Sequence, residues 1–186
     1  MISLFDVLYD VKTAGPGSRT EVFFAGCSKA ESGNPCEHCF NPKLWHKECG
    51  RKVTCRELVD EILRKTEEPY FTFCGGEPTD QITDLVTVCR MIKDKRRDAH
   101  ILVYTYHEYN KLKDNPEFLD LLPYIDILVD GSYDEQYRIY NNKSDNWVRR
   151  SIGSYNQRVY KIDRHVVEQY NIDKNGELHF KDKWVM

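Results

Sequence analysis

Tyr70-Phe71-Thr72-Phe73-Cys74-Gly75-Gly76-Glu77-Pro78 is the stretch on which the fold turns. Tyr70–Cys74 is short, aromatic and uncharged, and reads as a strand. Two glycines and a proline end it abruptly. After it, Ile82, Leu85, Val86, Cys89 and Ile92 recur at helical spacing and predict a helix over 81–93. Ile101-Leu102-Val103-Tyr104-Thr105 reads as the next strand. Working backward, Glu21–Gly26 is a buried strand ending at Cys27, and Thr54 with Glu57 forms a capping-box pattern opening a helix over 55–66. Working forward, helices near 107–113 and 116–121 precede strands at 125–131 and 158–162. Alternating strands and helices predict an α/β fold with a mostly parallel sheet. The candidate functional turns all follow strands, at Cys27, Gly75–Glu77, Tyr104–Tyr106 and Asp130-Gly131. Ligand sites in parallel α/β folds form at strand carboxyl ends, so these loops should meet on one rim of a partial (β/α) barrel.

The ends are less regular. Residues 3–12 mix apolar and acidic side chains and suggest an edge strand, followed by a turn at Ala14–Ser18. Residues 28–52 are polar and carry Gly33, Pro35, Pro42 and Gly50, which predicts mostly loop. The tail from 171 reads as a hairpin turning at Asn175-Gly176.

Bulk properties narrow the classes. The 186 residues suit one domain, with 40% hydrophobic and 31% charged residues and a formal net charge of -3. The pI near 6.1 gives no basic surface for nucleic acid, and no apolar run reaches the roughly 20 residues of a membrane span. Met1–Asp6 has no basic stretch leading into an apolar one, so the expected location is the cytoplasm.

Seven cysteines stand at 27, 36, 39, 49, 55, 74 and 89. An odd, clustered set without a secretory signal reads as metal or redox chemistry rather than a disulfide framework. Cys36-Glu37-His38-Cys39 can chelate from a single turn, and Cys27 can add a third thiolate from the preceding strand end. Three thiolates suit an iron–sulfur cluster with one iron left open to a substrate's amino and carboxylate groups. They equally suit zinc with His38 or His46 as fourth ligand, and spacing alone does not separate the two. Cys89 falls on an apolar helix face and Cys74 in a strand, so both are assigned to packing. Gly75-Gly76 permits close backbone approach, and Glu77 sets a carboxylate at the strand end where it can accept from an ammonium. Alone, that turn is a tight bend with a solvated acid. Behind a three-cysteine loop, it becomes a ligand site.

These two motifs in this order resemble the radical S-adenosylmethionine (SAM) superfamily. Ala14–Arg19, Phe23–Cys27, Cys39–Trp45, Tyr124–Gly131 and Ser154–Val159 further resemble the activating proteins of anaerobic (class III) ribonucleoside-triphosphate reductases, from about residue 6 to 162. Two departures stand out. The family usually spaces its first two cysteines by three residues, whereas Ser28–Pro35 supplies eight; and His38 stands where the family often has glycine.

The resemblance implies one radical SAM domain over 1–186, with a core at 6–162 and a C-terminal extension at 163–186. Cys27, Cys36 and Cys39 would hold a [4Fe–4S] cluster as metal ligands and catalytic residues. Gly75, Gly76 and Glu77 would bind the methionyl amino group of SAM. Tyr104 and Tyr106 would meet ribose or adenine, with rim packing an equal reading. Asp130 would orient the partner or bind SAM, and Asn156, Gln157 and Arg158 would line the site or pin the last strand. His38 is counted beside the cofactor as a loop residue. The implied partners are a glycyl radical protein, the anaerobic reductase, and a flavodoxin or ferredoxin as electron donor. Two alternatives keep the chemistry and change the substrate: another glycyl radical enzyme, or a 7-carboxy-7-deazaguanine synthase-like reaction. A third is a zinc-stabilised, non-enzymatic interaction module.

Overall fold

The structure, a computed structural model, describes residues 1–139, 148–163, 166–173 and 177–185. Strands β1 (Ile2–Val11) and β2 (Arg19–Phe24) form a hairpin through the glycine-rich turn at 12–18. A short α1 (Ser28–Glu31) follows, then two 3-10 turns, β3 (Arg51–Val53), α2 (Cys55–Lys65), β4 (Tyr70–Gly75) and α3 (Ile82–Lys95). After β5 (His100–Thr105) come α4 (Tyr109–Leu112), α5 (Pro116–Leu121) and β6 (Ile127–Asp130). The chain ends in β7 (Arg158–Asp163), β8 (Val166–Ile172) and β9 (Leu178–Val185).

The nine strands form one sheet, ordered β3-β1-β2-β4-β5-β6-β7-β8-β9. Only β2–β4, β4–β5 and β5–β6 pair in parallel. The other five pairings are antiparallel. The sheet is therefore mixed and open, which corrects the mostly parallel sheet expected from the sequence. For β1–β2, β7–β8 and β8–β9 the reason is connection length. A parallel return needs a crossover of a dozen or more residues, usually helical. The turn at 12–18 is too short for one, as are the links around β8. Residues 3–12 lie in or beside β1, which is an edge as expected over Phe5–Val11 among the described residues, while β3 covers Ile2–Leu4. Three residues, Arg51-Lys52-Val53, are too short a run to announce themselves as a strand, and the expected 28–52 loop absorbed them. The tail hairpin is present as β8 and β9; its expected turn at Asn175-Gly176 lies outside the described residues.

Alternation within the strands separates the two faces. Phe71 and Phe73 of β4, Ile101 and Val103 of β5, and Leu128 of β6 pack on Leu58 and Ile62 of α2, Leu85, Cys89 and Ile92 of α3, and Phe118 of α5. Their in-between neighbours face the opposite side. There Leu102, Ile127, Val129 and Val159 form a second, smaller cluster with Ile152 and Ile172. The strands read as continuous apolar runs because both faces are covered. The α2 start is fixed as expected: the Glu57 N–H donates to Thr54 Oγ1 at 3.2 Å and the Thr54 N–H donates to Glu57 Oε2 at 2.8 Å. Such a cap is worth about 1 kcal/mol.

Candidate metal centre

Beyond β2 the chain is pinned by backbone before it reaches the first cysteine. Ala25 N–H donates to Ser3 O, Gly26 N–H to Leu44 O and Cys27 N–H to Trp45 O, each at 2.8 Å. Cys27 then opens α1, which holds the first residues of the Ser28–Pro35 insertion. That insertion is anchored: Ser28 N–H donates to Asp80 Oδ2 at 2.6 Å and Ser28 Oγ to Asp80 Oδ1 at 2.8 Å. The Tyr106 hydroxyl lies 2.8 Å from the same Oγ. Extra length here folds against the turns after β4 and β5.

Cys36 and Cys39 close a tight turn in which Cys39 N–H donates to Cys36 O at 3.2 Å. His38 sits in that turn at φ +53°, the left-handed region that glycine enters most easily. A glycine would adopt this conformation without strain. The His38 ring points to solvent, 3.7 Å from Glu37, and does not line the cavity. Asn41 N–H reaches Cys39 Sγ at 3.4 Å and its Nδ2 donates to Gly75 O, also at 3.4 Å. Asn41 thus links the cysteine turn to the glycine turn, a role that only tertiary proximity reveals.

Cys27, Cys36 and Cys39 line one cavity of about 590 Å³, within the roughly 300–1,000 Å³ of small-molecule sites. Burial pushes the Cys27 thiol up to about 11 and also raises Cys36. Thiols in such surroundings become thiolates when a metal ion binds them. Tetrahedral zinc at 2.3 Å would draw its sulfurs to about 3.8 Å from one another. The three sulfurs here are not all within 4.8 Å of each other; among the described residues, only Asp173, Glu177 and His179 make such a set. The cavity brings the three cysteines together, and no histidine is among its lining residues, a donor set that suits an iron–sulfur cluster with one iron left open.

The Gly75–Glu77 turn forms the facing wall. Gly75 has φ +113°, and a Cβ there would lie 2.4 Å from Phe24 O. A Cβ on Gly76 would lie 2.1 Å from Gly26 O. These glycines are required first because β2, β4 and the cysteine loop touch backbone to backbone. Gly76 N–H donates to Phe24 O and Glu77 N–H to Gly26 O, at 2.8 and 2.7 Å. Glu77 lines the cavity yet is only 1% exposed, and burial raises its carboxyl. Oε1 accepts from Thr79 N–H at 2.9 Å and Thr79 Oγ1 at 2.6 Å, and Oε2 accepts from Tyr106 N–H at 2.8 Å. The acid expected to be either solvated or ligand-facing is thus built into the wall.

Tyr104 and Tyr106 line the same cavity, and burial raises the Tyr104 phenol. Gln157 lines it too. Its Oε1 accepts from Gly153 N–H at 2.8 Å and its Nε2 donates to Gly131 O at 3.0 Å. Asn156 stands back, donating to Ser132 O at 2.9 Å. Asp130 is fully buried beneath the rim, outside the cavity lining. It accepts from Arg158 Nε at 2.7 Å and Nη2 at 3.0 Å, from Tyr109 N–H, and from Tyr160 OH at 3.3 Å. The Asn156-Gln157-Arg158 block therefore ties β6, β7 and the 131–134 segment together. On the floor, Cys74 Sγ donates to Glu21 Oε1 at 3.2 Å, a pair unmarked by any motif.

The family described as a 4Fe-4S single cluster domain matches residues 13–160. The pyruvate formate-lyase-activating enzyme of Clostridium pasteurianum is 38% identical over 88 residues, covering 44% of this chain and 34% of that protein's length. The anaerobic ribonucleoside-triphosphate reductase-activating proteins of Vibrio cholerae and Pasteurella multocida are each 28% identical. They match over 126 and 158 residues, which is 64% and 81% of this chain and 76% and 92% of theirs. The cavity, its three thiols and a match that spans both of its walls lead to one assignment: the chain belongs to the 4Fe-4S single cluster domain family.

Proposed function

We propose that this chain is a radical SAM activase that installs a glycyl radical on an anaerobic ribonucleotide reductase. The observation that carries the reading is the single cavity on which Cys27, Cys36, Cys39 and the Gly75–Glu77 turn meet. The cluster and SAM, when bound, supply a one-electron cleavage that yields a 5′-deoxyadenosyl radical. Cys27, Cys36 and Cys39 would hold the cluster through three thiolates. The Gly75–Glu77 turn positions the methionyl amino group, and the buried Glu77 keeps that turn in place through Thr79 and Tyr106. Tyr104, Tyr106 and Gln157 shape the remaining wall and exclude water. Asp130, Asn156 and Arg158 act one layer back, holding the rim, and His38 closes the cysteine turn. We read the parallel run β2–β4–β5–β6 as the part of the sheet that would serve as the partial barrel of this superfamily. The domain reads as a core at 6–162 with β8 and β9 in a C-terminal extension. Among the described residues no helix is long and apolar enough to cross a membrane. We place the protein in the cytoplasm, with flavodoxin or ferredoxin as its donor.

The 38% identity to a pyruvate formate-lyase-activating enzyme favours a second reading, activation of a different glycyl radical enzyme. One experiment separates them. The reduced protein is mixed with SAM and either the anaerobic reductase or pyruvate formate-lyase, and each is examined by electron paramagnetic resonance. A glycyl doublet on the reductase alone is the expected result. A doublet on pyruvate formate-lyase alone would replace the first reading with the second.

A further inference from the structure

The flank of β1 beyond Leu4 lies near the site and has no part in the proposed chemistry. β3 covers β1 only at Ile2–Leu4. Among the described residues, no strand pairs with Phe5–Val11 on that side. The register with β2 is irregular between Leu4 and Asp6 and again between Leu8 and Val11, so the regular stretch is Asp6-Val7-Leu8. Bulges of this kind limit how long a strand an edge accepts. The Val7 N–H donates to the Asp6 Oδ1 carboxylate at 2.8 Å, so an exposed side chain rather than a strand covers that donor.

Beside this edge lies a groove of about 430 Å³, lined by Phe5, Asp6 and Leu8 of β1, Phe23 of β2 and the Phe40–Leu44 segment. Phe5, Leu8 and Phe40 are 41%, 44% and 63% exposed, a cluster of large apolar side chains open to solvent. Asp6 pairs with Phe23 and Leu8 with Glu21 across the ladder, so they share the sheet face that forms the cavity floor. Phe23, Phe40 and Asn41 line both the groove and the cavity. The groove thus adjoins the cavity through these residues.

We infer that this groove docks a short extended segment of the glycyl radical protein, which adds as a strand to β1 at Asp6–Leu8 and leads its glycine into the cavity. This rests on the proposed function, which requires a polypeptide substrate. A strand edge presents alternating donors and acceptors that only a polypeptide backbone matches, and the apolar groove takes alternate side chains of such a strand. Asp6 releases the Val7 N–H when the segment arrives, which keeps the edge blocked against other strands until then.

The test uses the full chain carrying its cluster, with the anaerobic reductase as probe, and two variants. Leu8→Glu places a charge in the groove at an exposed position. Val7→Pro removes the edge donor, a change edge strands tolerate. Both should cleave SAM at the parent's rate without the reductase, and bind the reductase at least about tenfold more weakly. Amide exchange at Phe5–Tyr9 should slow in the parent complex. Parent-like reductase affinity in Leu8→Glu, or unchanged exchange at Phe5–Tyr9 in a formed complex, would overturn the inference. So would Leu8→Glu merely breaking a self-dimer with reductase affinity kept, which would assign the groove to a second copy. Failure of the parent to cleave SAM would instead defeat the function itself. A parent that cleaves SAM but binds no reductase would remove the proposed occupant and the inference with it.

Discussion

Gly76 leaves no room for a side chain, because the Gly26 and Leu44 carbonyls would stand 2.1 and 2.8 Å from its Cβ. Gly76→Ala must therefore separate the end of β4 from the cysteine loop. Overpacking of this kind costs about 3 kcal/mol. Denaturant unfolding should show that loss, with weaker cluster retention after reconstitution; a parent-like midpoint would show that the backbone contact is not tight. At this scale the sequence was legible where residue type and spacing encode chemistry. Cys27, Cys36 and Cys39 were readable as a set, and the glycines as a turn that permits close backbone approach. Their reason was not: the glycines serve backbone packing between β2 and β4, which no local pattern announces. Asn41 and the Glu21–Cys74 pair were missed because each is assembled from distant segments. Asp130 was expected at the site from its strand-end position, but bidentate pairing with Arg158 turns it inward.

The starts of β2, β4 and β5 meet around a buried Arg19. Its Nη2 donates to Phe71 O at 2.6 Å and its Nε to Thr72 Oγ1, also at 2.6 Å. The guanidinium lies 3.4 Å from His100 Nδ1, with the Tyr70 ring packed on His100. Burial lowers the Arg19 group to about 10 and also lowers His100 below its ordinary 6.5; Arg19 adds to the His100 shift, against the opposing charge of Asp126. The unfolded chain then binds a proton at His100 that the folded chain refuses. Stability is full above about pH 6.5 and falls as the pH drops below it. Thermal unfolding followed downward from neutral pH should show this decline, and His100→Asn should flatten it. An equally steep decline in His100→Asn would place the acid sensitivity elsewhere. Among the elements, α2, α5, β4 and β5 were legible because caps, prolines and apolar runs mark them. Pairing direction was not, since it depends on which connections are long enough to cross over. β3 was hidden in a polar loop because three residues form a strand only when β1 offers them an edge.

Across the molecule, two cores hold the sheet from both sides, and the cavity occupies the part of one face that the smaller core leaves uncovered. The expected convergence of four strand-end loops is observed at Cys27, Gly75–Glu77, Tyr104–Tyr106 and Gly131. The sheet is open, with the antiparallel strands β7, β8 and β9 extending it beyond the parallel run. The open flank at β1 that results is the approach assigned above to the partner. The account as a whole rests on three thiols holding a cluster with one iron free for SAM. Anaerobic reconstitution of the parent and of Cys36→Ala, with iron, sulfide and 5′-deoxyadenosine measured after dithionite and SAM, tests that directly. The parent should hold about four irons and four sulfides per chain and form 5′-deoxyadenosine, while Cys36→Ala forms none. A parent that binds stoichiometric zinc without sulfide, or a Cys36→Ala variant that cleaves SAM as the parent does, would contradict it.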